Sequence, residues 1–434
     1  MFKMRTGAAV AALLVALAGC GSTEQAADKP AAQGPRVLKL WHYEGADSAM
    51  GKAWAEAVKQ FEASHPGVKV TFEEKAFEQI RQSAGMILNS DEAPDVMEYN
   101  KGNATAGLLS KQGLLTDLSA EAAERGWDKL LSPSLQTTAK YDERGVMGGD
   151  KWFGIPNYAE YVMVYYNKDA FKKQGIEVPT TYDEFTAALD TFAKAGITPL
   201  AVGGAEYPAQ QILYQLALSK AQRPWVDALQ LYKGKVDFSG PEFRYAADTF
   251  ADWVKKGYIG KDSAGIKAED MGVSFIGGKY PIVVSGSWWY GRFVSDIKDF
   301  EWGSFLWPGN AMSAGSSGNL WVVPENAKNK DLAYDFIDIT MKKEIQNLLG
   351  NSGGIPVAAD ASAITDAKSK ELIENFTKLS GSDGLAFYPD WPAPGYYDVL
   401  VSGVQNLING TKTSAQVLDE IAGPYNENLA DIGN

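Results

Sequence analysis

The chain has 434 residues, a formal net charge of −13, and a composition of 45% hydrophobic and 22% charged residues. That is too long for one small domain and enough for two large lobes with separate cores, while the acidic balance opposes nucleic acid and anionic headgroups by long-range repulsion. One cysteine and two histidines exclude a disulfide framework and a Cys/His metal centre, so the fold must stand on its hydrophobic core and no cofactor is expected.

In chain order, Lys3 and Arg5 precede an uncharged apolar stretch from Gly7 to Ala18, the pattern of a signal peptide. It runs into Leu17-Ala18-Gly19-Cys20-Gly21-Ser22, which resembles a bacterial lipobox. That resemblance implies that the lone Cys20 carries a lipid and anchors the chain to the extracytoplasmic face of the membrane, which suits a Gram-positive cell. Loss of the leader removes two positive charges and no negative ones, moving the net charge from −13 to −15. No second apolar run approaches membrane-spanning length. Residues 21–35 are Ala, Gln, Gly, Ser and Pro with scattered charge and read as a tether.

Order is expected from Val37-Leu38-Lys39-Leu40-Trp41, a short strand ending in the polar loop His42 to Asp47. Met50, Trp54, Ala57, Val58 and Phe61 then share one helical face, and His65-Pro66-Gly67 ends that helix. Val68 to Phe72 and Pro94 to Tyr99 are further strands. Strand, helix, strand predicts an α/β fold with a helix-covered sheet, whose ligand sits beyond the carboxyl ends of the strands. The loops His42–Asp47 and Tyr99–Asn103 therefore lie on the binding edge. A second unit follows residue 160: Thr181 and Glu184 form a capping box before Phe185, Ala188, Leu189 and Phe192, and Gly196 closes the helix. Pro199 to Val202 and Tyr280 to Val284 are its strands.

Leu40-Trp41, His65 to Val70, Ala93-Pro94-Asp95-Val96, Gly154-Ile155-Pro156, Tyr165-Tyr166-Asn167-Lys168, Gly286-Ser287-Trp288 and Gly353-Gly354-Ile355-Pro356 are each weak signals. In this order and spacing, behind a lipobox, they make the chain similar to the extracellular solute-binding proteins of carbohydrate ABC importers, the group that includes maltose-binding protein. The resemblance implies a periplasmic-binding-protein-like fold of two α/β lobes with mixed, mostly parallel sheets, joined by three hinge crossings. These are expected near Pro156–Tyr161, Leu306–Asn310 and Asn351–Pro356, giving an N-terminal lobe of 36–157 and 309–354 and a C-terminal lobe of 158–308 and 355–434. It further implies a monomer that closes on a sugar and delivers it to permease subunits.

Sugars pack their C–H faces on aromatic rings and need donors and acceptors around the rim. The aromatic share is 12%, with 12 Trp, and several lie in loops. By family position, Trp288, with Trp289 beside it, and Trp391 in the Pro-rich segment Tyr388–Pro394 are stacking candidates, as is Tyr99. Glu160, seven residues before Asn167, is the expected hydroxyl-binding carboxylate, with Glu44 and Glu206 in similar positions and Asn100, Tyr158 and Tyr207 as neighbours. His42 and Asp95 read as structural. Carboxylates and tryptophans in a cleft also describe a glycoside hydrolase, which would need two carboxyls facing each other across the scissile bond. No HExxH, P-loop or nucleophile elbow is present.

Overall fold

The computed structural model describes residues 36–433; Cys20, the apolar leader and the tether lie outside the described residues. β1 (Arg36–His42), β2 (Val68–Glu74) and β3 (Val96–Tyr99) open the chain. β1 pairs in parallel with both others. The helix Ala49–Ser64 connects β1 to β2 and starts where Ser48 accepts from the Gly51 N–H at 2.9 Å. Met50, Trp54, Ala57 and Phe61 are buried on it, and Trp54 packs edge-on against Trp321 at 5.3 Å. The short strands β4 (Lys140–Tyr141) and β5 (Lys151–Trp152) pair as a hairpin, and β6 (Ile155–Pro156) completes this half of the chain.

The second half is built on β7 (Ala159–Asn167), whose nine residues are all buried. β8 (Leu200–Ala201), β9 (Ile282–Gly286), β10 (Trp302–Phe305) and β11 (Gly315–Ser317) join it, and β12 (Leu320–Val322) returns to the first sheet. The strand orders are β2-β1-β3-β12-β6 and β10-β7-β9-β8, with β11 also on β7. The helix Tyr182–Lys194 carries the capping box between Thr181 and Glu184, and Phe185, Ala188, Leu189 and Phe192 are buried. Two lobes result, each α/β. The sheets are mixed, but among the described residues parallel strand ladders are confined to β1–β2, β1–β3 and β8–β9. β7 and β12 enter from lobe crossings and run against their neighbours, which makes their ladders antiparallel.

The chain changes sheets between β6 and β7, within 157–158, and Ile355 bridges to Ala159 beside that point. The second of the three expected crossings, at Leu306–Asn310, lies elsewhere in the structure. Trp307 is core of the second lobe, stacked on Trp253 at 6.1 Å and edge-on to Phe185 at 5.4 Å. Ser313 and Gly315 also bridge to Leu385 and Phe387. The return to the first sheet falls between Ser317 and Leu320, so 309–317 belongs with the second lobe. Gly318 is required there, because a Cβ would run into the Tyr158 ring.

Candidate functional site

The strand ends and crossings converge on a cavity of about 180 Å³ between the lobes. Against roughly 10–15 Å³ for one water, that is room for on the order of a dozen heavy atoms, one pyranose ring. Tyr43 and Glu44 come from the loop after β1, Asn100 and Lys101 from the loop after β3, and Tyr158 and Glu160 from the first crossing. Asn319 lies in the later crossing. Tyr207 and Gln211 stand at the start of the helix Pro208–Leu218, Trp288 in the turn after β9, and Tyr388, Asp390 and Trp391 in the Pro-rich loop. Phe77, the first residue of the helix Phe77–Leu88, closes the ring of walls.

The aromatic walls touch one another in sequence. Tyr43 meets Phe77 edge-on at 5.4 Å, Phe77 meets Tyr207 at 5.9 Å, Tyr207 meets Trp288 at 5.8 Å, Trp288 faces Tyr388 at 6.2 Å, and Tyr388 faces Trp391 at 5.0 Å. Two glycines let these rings take their places. A Cβ on Gly286 would overlap the Trp288 ring, and one on Gly102, whose φ is +119°, would lie 2.6 Å from Trp391.

The polar floor is a buried network. Lys101 Nζ donates to Glu160 Oε1 at 2.5 Å, and Tyr158 Oη donates to Glu160 Oε2 at 3.0 Å. Asn319 Nδ2 donates to Glu44 Oε1 at 3.2 Å and to Tyr158 Oη at 3.1 Å. Beneath them Glu98, wholly buried, accepts from Asn157 Nδ2 at 2.8 Å. Burial pushes the Glu98 carboxyl up to about 7, against the hydrogen bond from Asn157. Burial first, then the charges of Glu98 and Glu160, raises Glu44 well above the ordinary carboxylate range. The low-dielectric walls likewise push Asp390 to about 6. Tyr43 Oη and Gln211 Oε1 are buried without a hydrogen-bond partner among the described residues. A ligand carrying hydroxyls would satisfy both.

Glu44, Asn100, Tyr158, Glu160, Trp288 and Trp391, with Tyr207, are thus brought together, whereas three candidates are placed elsewhere. Tyr99 points into the first lobe, 5% exposed and opposite Leu320 in the sheet. Glu206 Oε2 accepts from the N–H of Ala268, the first residue of the helix Ala268–Ile276, where a carboxylate complements the helix dipole. Trp289 turns away from the cleft, stacking on Phe293 at 5.5 Å with the Arg292 guanidinium 5.1 Å from its ring. His42 is stacked on Phe72 at 3.8 Å, accepts from the Glu44 N–H at 3.3 Å, and is held neutral by burial, its pKa lowered to about 4. Asp95 accepts from the Lys39, Lys328 and Asn329 N–H groups and ties β1 to the chain after β12. Tyr43, Phe77, Lys101, Gln211, Asn319, Tyr388 and Asp390 were not singled out from sequence, although Tyr43 and Lys101 sit in the two loops assigned to the binding edge.

The lobes meet around the rim of the cavity. Arg81 on the helix Phe77–Leu88 pairs with Asp398 at 2.9 Å and covers the Tyr397 ring at 4.3 Å, and Tyr397 Oη donates to Glu78 at 2.6 Å. Lys111 pairs with Asp431 at 2.5 Å. The N–H of Ala104 donates to the Trp391 carbonyl at 3.0 Å. The arrangement is a closed two-lobed clamp.

The profile of the family described as bacterial extracellular solute-binding protein matches residues 45–346. The chain belongs to that family. It is 26% identical over 388 residues, 84% of this chain and 82% of the other, to a maltooligosaccharide ABC transporter solute-binding lipoprotein of Streptococcus pneumoniae. It is 38% identical to a probable sugar-binding periplasmic protein of Rhizobium meliloti over 111 residues, so the match spans only a quarter of that relative's length. Two Brucella proteins of the same description are matched over 31% of theirs. Among solved structures, a chitin oligosaccharide binding protein superposes with a TM-score of 0.77 at 22% identity, over 92% of this chain and 100% of the other. Maltose-bound T. maritima MalE3 superposes at 0.72 and 18%, over 90% and 99%. Members of the family bind substrates rather than transform them. Among the described residues no helix is long and apolar enough to cross a membrane.

Proposed function

We propose that the protein captures a sugar in this cavity by closure of its lobes and presents it to the permease of an ABC importer. The observation that carries the reading is the cavity itself: a continuous belt of aromatic rings over a floor of carboxylates and amides, with Tyr43 Oη and Gln211 Oε1 left without partners. Aromatic faces suit the C–H faces of a pyranose, and the acceptors suit its hydroxyls. Trp288 and Trp391 are the stacking platforms, with Glu44, Glu160, Asn100 and Tyr158 binding hydroxyls. The cargo is a di- or oligosaccharide, one ring enclosed and the rest running out between the lobes; the sugar and maltooligosaccharide relatives support that class.

Ligand contacts both lobes only when they are closed, so it binds the closed form more tightly and shifts the population toward it. The closed monomer is what the permease recognises, and a lipid on Cys20 keeps it at the extracytoplasmic face of a Gram-positive membrane. Thermal-shift screening of the purified protein against mono- and oligosaccharides, with glycan products assayed in the same wells, tests the reading. A saturable rise in melting temperature with one sugar series and no turnover is expected, because a ligand of the native state stabilises it by mass action. Turnover of a glycan would replace the reading with a hydrolase, and no shift with any sugar would overturn it.

A further inference from the structure

The charges around the cavity do not balance. Its lining holds three carboxylates, Glu44, Glu160 and Asp390, against one ammonium, Lys101, among the described residues. A fourth carboxylate, Glu98, lies directly behind Glu44 and raises its proton affinity by repulsion. Lys101 is already engaged: its ammonium is 2.5 Å from Glu160, with the Tyr388 and Trp391 rings at 5.1 and 4.9 Å. The amide donors of Asn319 are likewise taken by Glu44 and Tyr158. Among the described residues Glu44 has no ion-pair partner, although the Lys101 charge lowers its proton affinity, and its remaining contact is Ser48 Oγ at 3.5 Å. Beside this excess of acceptors stands Gln211, 3% exposed, whose Oε1 has no hydrogen-bond partner.

Buried charge is costly unless it is paired. A neutral sugar would offer hydroxyls to Glu44 and Asp390, whose carboxyls burial already pushes toward the protonated form, but would leave unmet the charge that each carries when ionised. A ligand with an ammonium group would compensate it and give three N–H donors to the free acceptors. The aromatic walls are compatible with a cation, since two of them already flank the Lys101 ammonium. From the three carboxyls that outnumber the single ammonium in the lining, the unpartnered Gln211 Oε1 and the aromatic walls of one cavity, we infer that the cargo is a basic sugar, one bearing a free amino group. This rests on the sugar-capture reading and narrows it from carbohydrates in general to the amino sugars.

Calorimetric titration of the purified full-length protein at neutral pH tests the inference with matched probes. These are glucosamine, galactosamine and mannosamine, their N-acetyl and 2-hydroxyl counterparts, and the β-1,4 glucosamine dimer beside chitobiose and cellobiose. At least one free amine is expected to bind about tenfold or more tightly than both of its neutral counterparts, since one tenfold step is about 1.4 kcal/mol and a buried ion pair readily supplies it. Glu44→Gln and, independently, Asp390→Asn are each expected to weaken binding of the amine more than that of its neutral counterparts and so to shrink that ratio. A neutral sugar that binds as tightly as its amine, or a ratio untouched by both substitutions, overturns the inference and leaves sugar capture standing. Silence from every probe would sink both.

Discussion

The Lys101–Glu160 pair offers a sharp quantitative test, because it joins the end of β3 in one lobe to β7 in the other and is almost wholly buried, the two side chains being 4% and 5% exposed. Lys101→Met keeps most of the aliphatic stem packed and removes the ammonium. Glu160 is then a buried carboxylate whose remaining donor is Tyr158 Oη. Breaking a buried pair from one side costs about 3–5 kcal/mol. Water can reach Glu160 from the cavity, which sets the expectation at the lower end, about 3 kcal/mol. Urea denaturation of Lys101→Met, Glu160→Gln and the double variant forms a cycle in which the double variant should lose less than the two singles combined, since it leaves no lone charge. Singles that each cost under ~1 kcal/mol, the worth of a surface pair, or a strictly additive double would refute the buried-pair account.

Other consequences are as direct. Trp288→Ala and Trp391→Ala should each weaken sugar binding by about 1–3 kcal/mol, roughly 5- to 150-fold, as expected for loss of a buried aromatic contact. Trp289→Ala should cost stability and leave affinity near its starting value; titration of tryptophan fluorescence separates the three. Glu98 has its folded pKa raised from 4.5 to about 7, so between these values the folded state holds a proton that the unfolded chain has released. Stability is therefore highest at the acid end of that window and falls as pH rises through it, by on the order of 3 kcal/mol. Denaturant midpoints at pH 5 and 7.5 should show the fall, and Glu98→Gln should make it shallower. Arg81→Ala removes a rim contact whose partner Asp398 is 64% exposed, so closure should lose only about 1 kcal/mol and affinity about fivefold. A loss beyond a hundredfold would mean that the rim, not the cavity, holds the lobes together.

What could be read from the chain follows how local each signal is. The helix Ala49–Ser64 and the Thr181/Glu184 capping box depend on residues within a few positions and were legible. Trp307-Pro308-Gly309 carries the punctuation of a lobe change, but Trp307 is held in the second lobe by Trp253 and Phe185, partners distant in sequence. The crossing after β11 is marked only by Gly318, whose need is set by the Tyr158 ring packed on it. Much of the tryptophan excess proved to be core: Trp54, Trp127, Trp253 and Trp321 are fully buried away from the cavity lining. Strand-end loops pointed to Glu44 and Asn100, and family position to Glu160, Trp288 and Trp391. Lys101 and Asn319 take their roles from partners in the opposite lobe or on another loop, Glu160, Glu44 and Tyr158, which no spacing along the chain reveals. Glu206 shows the converse: its loop is near the cleft, yet a helix N-terminus takes the carboxylate.

A crystal structure of the protein with the sugar that gives the largest thermal shift tests the central claim most directly. The account requires one sugar ring between the lobes, stacked on Trp288 or Trp391, with Tyr43 Oη and Gln211 Oε1 bonded to its polar groups. A sugar bound elsewhere on an unaltered cavity, or a cleaved product within it, would contradict the account.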